Sequence, residues 1–412
     1  MGEFAENKLG KLLRFANGRT SPERADGRPF PVFGSNGVIG WADETNSEAG
    51  SLIIGRVGSY CGSLYLAKEK CWVTDNAIRA NSKGGNDPQF LFYLLSTLNL
   101  NNWRAGSGQP LLNQQILSNI RVSVPPPKKQ RAIASILGAL DDKIDLHRRM
   151  NETLEAMARA IFRDWFVDFG PTRAKMEGRE PYLASEIWGL FPDRLDEDGK
   201  PEGWERLPLD QSFDFLEGPG IRNWQYTNSE SGVRFINIRC IKNNDLVLGT
   251  ANRIADDEAN GKYRHFHLAE NDIVVSTSGT LGRWAIVRKS HLPLMLNTSV
   301  IRFRPLTQIT NLSFLWQFIS NPSFMKELEM RASGSVQKNF GPMHLRQMSV
   351  LYPGEKVIKA FAGLCTPNLE AWLRNLDESN TLAQTRDLLL PKLMSGEIRV
   401  KAAEKFVEEK IG

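Results

Sequence analysis

The stretch LSNIRVSVPPP (residues 117–127) decides how this chain is read, because LRQMSVLYPGE (residues 345–355) repeats its pattern 228 residues later. Leu117, Ile120, Val122 and Pro125 align with Leu345, Met348, Val350 and Pro353, so each copy reads as a strand running into a proline stop. Working outward, FLFYLLS (residues 90–96) matches FLWQFIS (residues 314–320) at an offset of 224. GSLIIGRVGSYCG (residues 50–62) resembles NDIVVSTSGTLG (residues 271–282) at an offset of about 221. Motifs in the same order at nearly the same spacing predict a duplication: residues 1–127 and 201–352 are two copies of one mixed α/β domain.

A long helical segment follows each copy. After Pro127, steps of four and three pick out Ile133, Leu137, Leu140, Ile144, His147, Asn151, Leu154, Ala158, Ile161 and Trp165, a heptad seam. Adding 228 gives Phe361, Cys365, Asn368, Trp372, Asn375, Ser379, Leu382, Arg386, Leu389 and Leu393. Both seams turn polar midway, at His147 and Asn151 and at Asn375 and Ser379, where two antiparallel helices of equal length lay their centres side by side. Gly138 and the Thr366-Pro367 pair predict that each helix restarts and kinks there. The fold class that follows is α+β: two similar mixed α/β domains separated by two long helices that form an antiparallel coiled coil with pseudo-twofold symmetry. The boundaries are 1–127, first domain; 128–170, central helix; 171–200, linker; 201–352, second domain; 353–398, C-terminal helix; and 399–412, tail. A helix of ~40 residues is ~60 Å long at 1.5 Å per residue. The pair is a spacer that sets the distance between two heads facing one extended partner, as duplex DNA would be.

Composition excludes several alternatives. The chain has 412 residues, 41% of them hydrophobic and 24% charged, which suits neither a disordered nor a collagen-like protein. Four cysteines without a Cys-x-x-Cys spacing make neither a disulfide scaffold nor a zinc site, and suit a reducing cytoplasm. The charged start MGEFAENKLGKLLRF is unlike a secretory signal, and the longest near-apolar stretch, residues 132–140, is far too short to cross a bilayer; no membrane partner is expected. The net charge of +5 is concentrated in the two domains: +3 in residues 1–127 (13 basic, 10 acidic) and +3 in residues 201–352 (17 basic, 14 acidic). That distribution permits nucleic-acid binding without requiring it.

At this point the chain resembles a known family, the DNA specificity subunits of type I restriction-modification systems. The likeness is carried by PVFGSNGVIG (residues 31–40), VSVPPPKKQRAIASILGALDDKID (residues 122–145), NETLEAMARAIFRDWFVDF (residues 151–169), NDIVVSTSGTLG and LLLPKLMSGEI (residues 388–398). The resemblance implies two target recognition domains, each reading one half of a bipartite asymmetric site in double-stranded DNA. It implies helices that dock two modification (methyltransferase) subunits, alongside ATP-dependent restriction subunits. Catalysis belongs to those partners in that family, so adenosylmethionine, ATP and Mg are expected on them and no cofactor on this chain. Lys128 and Lys129 depart from the family pattern, in which acidic residues usually precede the glutamine.

The residues themselves suggest which loops read DNA. LIIGRVGSYCGSLYLA (residues 52–67) and IVVSTSGTLGRWAIV (residues 273–287) each read as strand, glycine-rich turn, strand. A hairpin is the bland reading. The functional one presents Arg56, Ser59 and Tyr60 in one copy, and Thr277, Ser278, Thr280 and Arg283 in the other, because glycines permit close approach while hydroxyls and guanidinium groups reach phosphates or bases. A second pair of loops, WRAGSGQPLLN (residues 103–113) and RASGSVQKNFG (residues 331–341), offers Arg104, Gln109, Asn113, Gln337, Lys338 and Asn339, types that pair with adenine or guanine edges or form ordinary surface loops. Trp165, Phe166 and Phe169 form either a docking surface for a partner or the packing of their own domain. His265 and His267 lack companions at metal spacing. The rival reading is a DNA methyltransferase with its own adenosylmethionine site, suggested by LEGPG (residues 216–220) and NPSF (residues 321–324). Asn321 and Pro322 open SFMKELEM as an ordinary helix start, and Pro219 sits where a cofactor loop should lead into a helix.

Overall fold

The computed structural model describes residues 4–411 apart from 106–110 and 333–338. The chain divides into two compact units that are not simple halves: one comprises residues 1–146 and 379–412, the other residues 147–378. Each contains a mixed α/β head packed on part of both long helices, Pro127–Phe166 and Glu355–Ser395.

In the first unit, strand Ala5–Lys8 pairs antiparallel with Arg121–Val124. Four strands form the main sheet in the order Leu13–Asn17, Ala77–Ser82, Leu52–Gly55, Leu64–Leu66. Helix Pro88–Ser96 begins where the Asp87 carboxylate accepts the Phe90 N–H at 2.8 Å and Pro88 fills the first turn. Its Phe90, Leu91 and Leu94 join Leu52, Ile54 and Ile78 of the sheet, Ile133 and Leu137 of one long helix, and Leu389 and Leu393 of the other in one core. A smaller sheet, Gly37–Ala42, Phe30–Gly34 and Trp72–Val73, ends on a parallel pair.

The second unit repeats each of these parts. Glu205–Pro208 pairs with Ser349–Tyr352, and the main sheet runs Phe213–Glu217, Val300–Pro305, Ile273–Ser276, Trp284–Ile286. Helix Leu312–Ser320 is capped by Asn311, whose side chain accepts from Phe314 N at 2.9 Å, as Asp87 accepts from Phe90. The smaller sheet again ends on a parallel pair, Val233–Phe235 with Leu294–Met295. Helix Pro322–Arg331 stands where the first unit has the short 3-10 turn Leu100–Trp103. The duplicated mixed α/β domains and the two long helices expected from the sequence are all present.

Within the second unit the long helices run antiparallel, Asn151 meeting Asn375 and Trp165 meeting Phe361. The polar seam centres meet as expected: Asn375 Nδ2 donates to Asn151 Oδ1 at 2.8 Å, and Asn151 Nδ2 donates to Trp372 O at 3.1 Å. In the first unit Arg386 Nη1 donates to Asp141 Oδ1 at 2.6 Å, while the Tyr93 hydroxyl donates to the other carboxylate oxygen.

Two expectations are corrected, and one open reading is decided. Neither helix restarts, each being helical from end to end. Gly138 is small because a Cβ there would lie 2.4 Å from Gln89 Nε2, so it admits a neighbouring side chain without ending the helix. Pro367 costs its helix about 3 kcal/mol. Burial of Phe361, Cys365, Leu369 and Trp372 on either side, about 1.5–3 kcal/mol for each large apolar side chain, outweighs that loss. Second, of the two readings of the aromatic run, packing in its own unit is the one observed: Trp165 and Phe166 are buried, with ring centroids 5.0 Å from Phe191 and 6.0 Å from Trp204 respectively. Third, segments read as linker and tail are folded. Residues 171–200 bury Ala174 and Phe191, and helix Val400–Ile411 buries Ala403 in the first core. Among the described residues, no helix is long and apolar enough to cross a membrane.

Candidate nucleic-acid interface

In the first head the chain leaves strand Leu52–Gly55, makes the 3-10 turn Gly58–Tyr60 and returns on Leu64–Leu66. Gly55 permits this crossing, since a Cβ there would lie 2.2 Å from Tyr60 O. The backbone of Arg56 is held between two other segments: its N–H donates to Asn76 O at 3.0 Å and its carbonyl accepts from Leu112 N at 3.1 Å. The second head repeats both bonds on Thr277, whose N–H donates to Ser299 O at 2.9 Å and whose carbonyl accepts from Phe340 N at 3.2 Å. Arg56 and Thr277 are therefore equivalent positions. In each head the carbonyl bond draws the glycine turn against the second loop named from the sequence, while the N–H bond ties it to the residue before the neighbouring strand.

Side chains differ between these equivalent frames. Ser59 and Tyr60 are exposed at the tip of the first turn, while Arg56 is half-buried and its Nε has no hydrogen-bond partner among the described residues. Arg104 is exposed and donates from Nε to Asn101 O at 2.6 Å. Asn113 caps helix Gln114–Asn119, its Oδ1 accepting from Ile116 N at 2.8 Å, so half of its amide is committed to structure. In the second head Thr277 is 2% exposed and contributes its backbone rather than its hydroxyl. Ser278 is half-exposed; Thr280 and Arg283 are exposed, Arg283 Nη2 donating to Thr280 Oγ1 at 3.3 Å. Asn339 is exposed beside Phe340. Gln109, Gln337 and Lys338 lie outside the described residues.

The structure adds residues that the sequence reading missed. A polar cleft of about 430 Å³ in the second head is lined by Arg222, Tyr226, Asn237, Arg239, Asn252 and Asn297, among others. It adjoins the glycine turn, because a Cβ on Gly279 would lie 3.3 Å from Ile238 Cδ1, another of its walls. Repeat matching could not find these residues, since they lie where the two heads differ. Glu217, at the end of its strand, is also close: a Cβ on Gly341 would lie 3.5 Å from its Oε2, and burial pushes the Glu217 carboxyl up from its ordinary value. Burial likewise raises the Cys61 thiol beneath the first turn, which leaves it protonated and unreactive at neutral pH.

The fragments that suggested a methyltransferase have local structural roles. A Cβ on Gly218 would lie 2.3 Å from Asn297 O, and one on Gly18 2.0 Å from Thr74 O, so LEGPG is the second copy of a close strand approach in the first head. Asn321 caps helix Pro322–Arg331, its side chain accepting from Ser323 N at 2.8 Å. His267 Nε2 lies 3.1 Å from Ala259 O, and no group of residues suited to a metal ion occurs among the described residues.

Comparison with known proteins agrees with this duplication. The family model described as "Type I restriction modification DNA specificity domain" matches twice, at residues 1–156 and 201–355. The chain is 27% identical over 364 residues to the type I restriction enzyme HindI specificity subunit of Haemophilus influenzae, covering 76% of this chain and 77% of that protein. It is 25% identical over 357 residues to the MjaIX specificity subunit of Methanocaldococcus jannaschii, covering 82% and 76%. The fold matches the crystal structure of the type I restriction-modification S subunit from M. genitalium with a TM-score of 0.61 at 15% identity, over 95% of this chain and 96% of that one. With both family matches falling on the two heads and their glycine turns, the chain belongs to the type I restriction-modification DNA specificity family.

Proposed function

We propose that this chain is the recognition component of a type I restriction-modification complex, in which each head reads one half of a bipartite, asymmetric site in double-stranded DNA. The observation that carries the reading is the pair of backbone hydrogen bonds repeated on Arg56 and Thr277, one of which joins the two loops in each head while their side chains differ. One scaffold with two sets of readers suits two different half-sites: glycine turns bring the backbone close, and hydroxyl, amide and guanidinium groups supply contacts to phosphates and base edges. Chemistry then belongs to partners. Two modification subunits, which carry adenosylmethionine, dock on the helical parts, and restriction subunits bring ATP and Mg; this chain holds no cofactor of its own and acts in the cytoplasm.

Replacing residues 1 to about 125 with the corresponding head of another family member is expected to change one half-site and leave the other intact. Methylation mapping of DNA from cells carrying the hybrid and its modification partner reads both halves at once. A folded hybrid that loses recognition at both would sink the two-reader reading. Lys338→Ala is expected to weaken contact at the second head's half-site only, by roughly one unit of salt slope if it meets a phosphate. Footprints weakened equally at both halves would count against it.

A further inference from the structure

We infer that the cleft of the second head seats the sugar-phosphate backbone of the DNA strand beside its half-site, with Arg222 and Arg239 as a sequence-independent phosphate clamp that the first head lacks. This rests on the reading of the second head as a DNA reader and specifies how it grips. The shape comes first. The turn at Gly279–Gly282 exposes Gly279 and Thr280, whereas the concavity of about 430 Å³ beside it can receive a convex strand.

Charge is the second observation. Arg222 and Arg239 are exposed on the cleft wall, and neither has a carboxylate within ion-pair distance among the described residues. Two unneutralised guanidinium groups on one concave wall repel each other, a cost that an anion removes.

Preorganisation is the third. The turn carrying Arg222 is fixed by Gln225, whose Oε1 accepts from Arg222 N at 3.0 Å while its Nε2 donates to Glu258 and to the Tyr263 hydroxyl. The turn carrying Arg239 is fixed by Asn237, whose Oδ1 accepts from Arg239 N at 2.9 Å. Ser299, also in the wall, has φ +73, a left-handed conformation that is costly for serine and that persists where surrounding structure imposes it.

The first head offers no arginine at the two aligned positions. Continuing the register of Gly18 and Gly218, offset by 200, puts Pro22 at the position of Arg222. The parallel strands, in which Phe33 faces Val73 and Phe235 faces Met295, put Gly37 at the position of Arg239.

The test uses the full chain and a labelled mixed-sequence duplex of roughly 30 base pairs, with anisotropy titrations across about 0.05–0.2 M salt. Non-specific binding is governed by phosphate contacts, and each contact contributes a slope of about 0.9 in log affinity against log salt. Arg222→Gln with Arg239→Gln is expected to lower that slope by about 1.8 and to weaken binding on the order of 50-fold at 0.1 M salt. Arg222→Lys with Arg239→Lys keeps the charge and should retain most of the slope, which separates loss of charge from loss of folding. Lys401→Gln with Lys410→Gln, both exposed on the C-terminal helix, removes the same two charges and controls for net charge. If the wild-type chain binds with a steep slope and the double glutamine variant matches it, the clamp is wrong while the recognition reading stands. If the wild-type chain shows no salt-dependent binding to duplex, both are wrong.

Discussion

Trp165→Ala is expected to destabilise the second unit by about 3–5 kcal/mol, the range for removing a large aromatic side chain from a well-packed core. Trp165 is 1% exposed, and its ring is within 6.1 Å of the centroids of Phe166, Phe191 and Phe361. Those neighbours come from the long helices and from residues 171–200, so the cavity cannot be closed by moving one element alone. Urea denaturation followed by far-UV circular dichroism measures the loss. Trp224→Ala is the counter-case: the indole is 82% exposed, and a change within about 0.5 kcal/mol is expected. If Trp165→Ala leaves the denaturation midpoint in place but abolishes assembly with the modification subunits, the aromatic run is a docking surface after all.

The second large effect is expected from Arg288→Met. Arg288 is 3% exposed and donates from Nη1 and Nη2 to the two oxygens of Asp245 at 2.7 and 3.2 Å, and from Nε to Asp377 Oδ1 at 2.8 Å. It ties the small hairpin of the second head, Ile241–Lys242 with Asp245–Leu246, to the long helix that carries Asp377. Removing the cation leaves two carboxylates facing each other, a loss of 3–5 kcal/mol when such a network is fully buried. Asp245 and Asp377 retain 16% and 46% side-chain exposure, so about 3 kcal/mol is expected. Arg288→Met with Asp245→Leu and Asp377→Leu removes the stranded charges and should regain most of that loss. A single substitution costing under about 1 kcal/mol would falsify the network as an anchor.

The neighbouring His291 adds a pH dependence. Burial and the adjacent Arg288 guanidinium push its imidazole down to about 4, below the ordinary 6.5. Its folded form therefore resists a proton that the unfolded chain accepts, and stability falls as pH drops from about 6.5 towards about 4. His291→Gln should flatten that decline in acid denaturation curves.

The parts of this architecture legible in the sequence were those fixed by repetition and period. The offset of 221 between the hairpins held because it carries Arg56 onto Thr277, whose backbone bonds are the same in both heads although Gly55 becomes Ser276. The polar centres of the seam were legible because Asn151 and Asn375 satisfy each other, and an unpaired amide there would cost about 1–3 kcal/mol. Pro367 misled because local propensity was weighed without the buried side chains that flank it. The aromatic run stayed open because period alone does not distinguish a face that meets a partner from one that meets its own head. Arg222 and Arg239 were invisible to a method that compares the two copies, since a feature present in one copy has nothing to match. The turns that carry Ser59, Tyr60, Thr280 and Arg283 were legible from their glycines, and these four residues are exposed on them.

The interleaving of the chain through its two units has a consequence for biosynthesis. Residues 147–378 are contiguous, so every strand and helix of that unit has been made by the time residue 378 leaves the ribosome. The other unit begins at the N-terminus but needs residues 379–412 to cover Ile133 and Leu137 with Leu389 and Leu393. Domains usually complete in the order in which they are translated. Here the order is reversed: the head made first waits with an uncovered apolar surface, and it closes only after the head made second is finished.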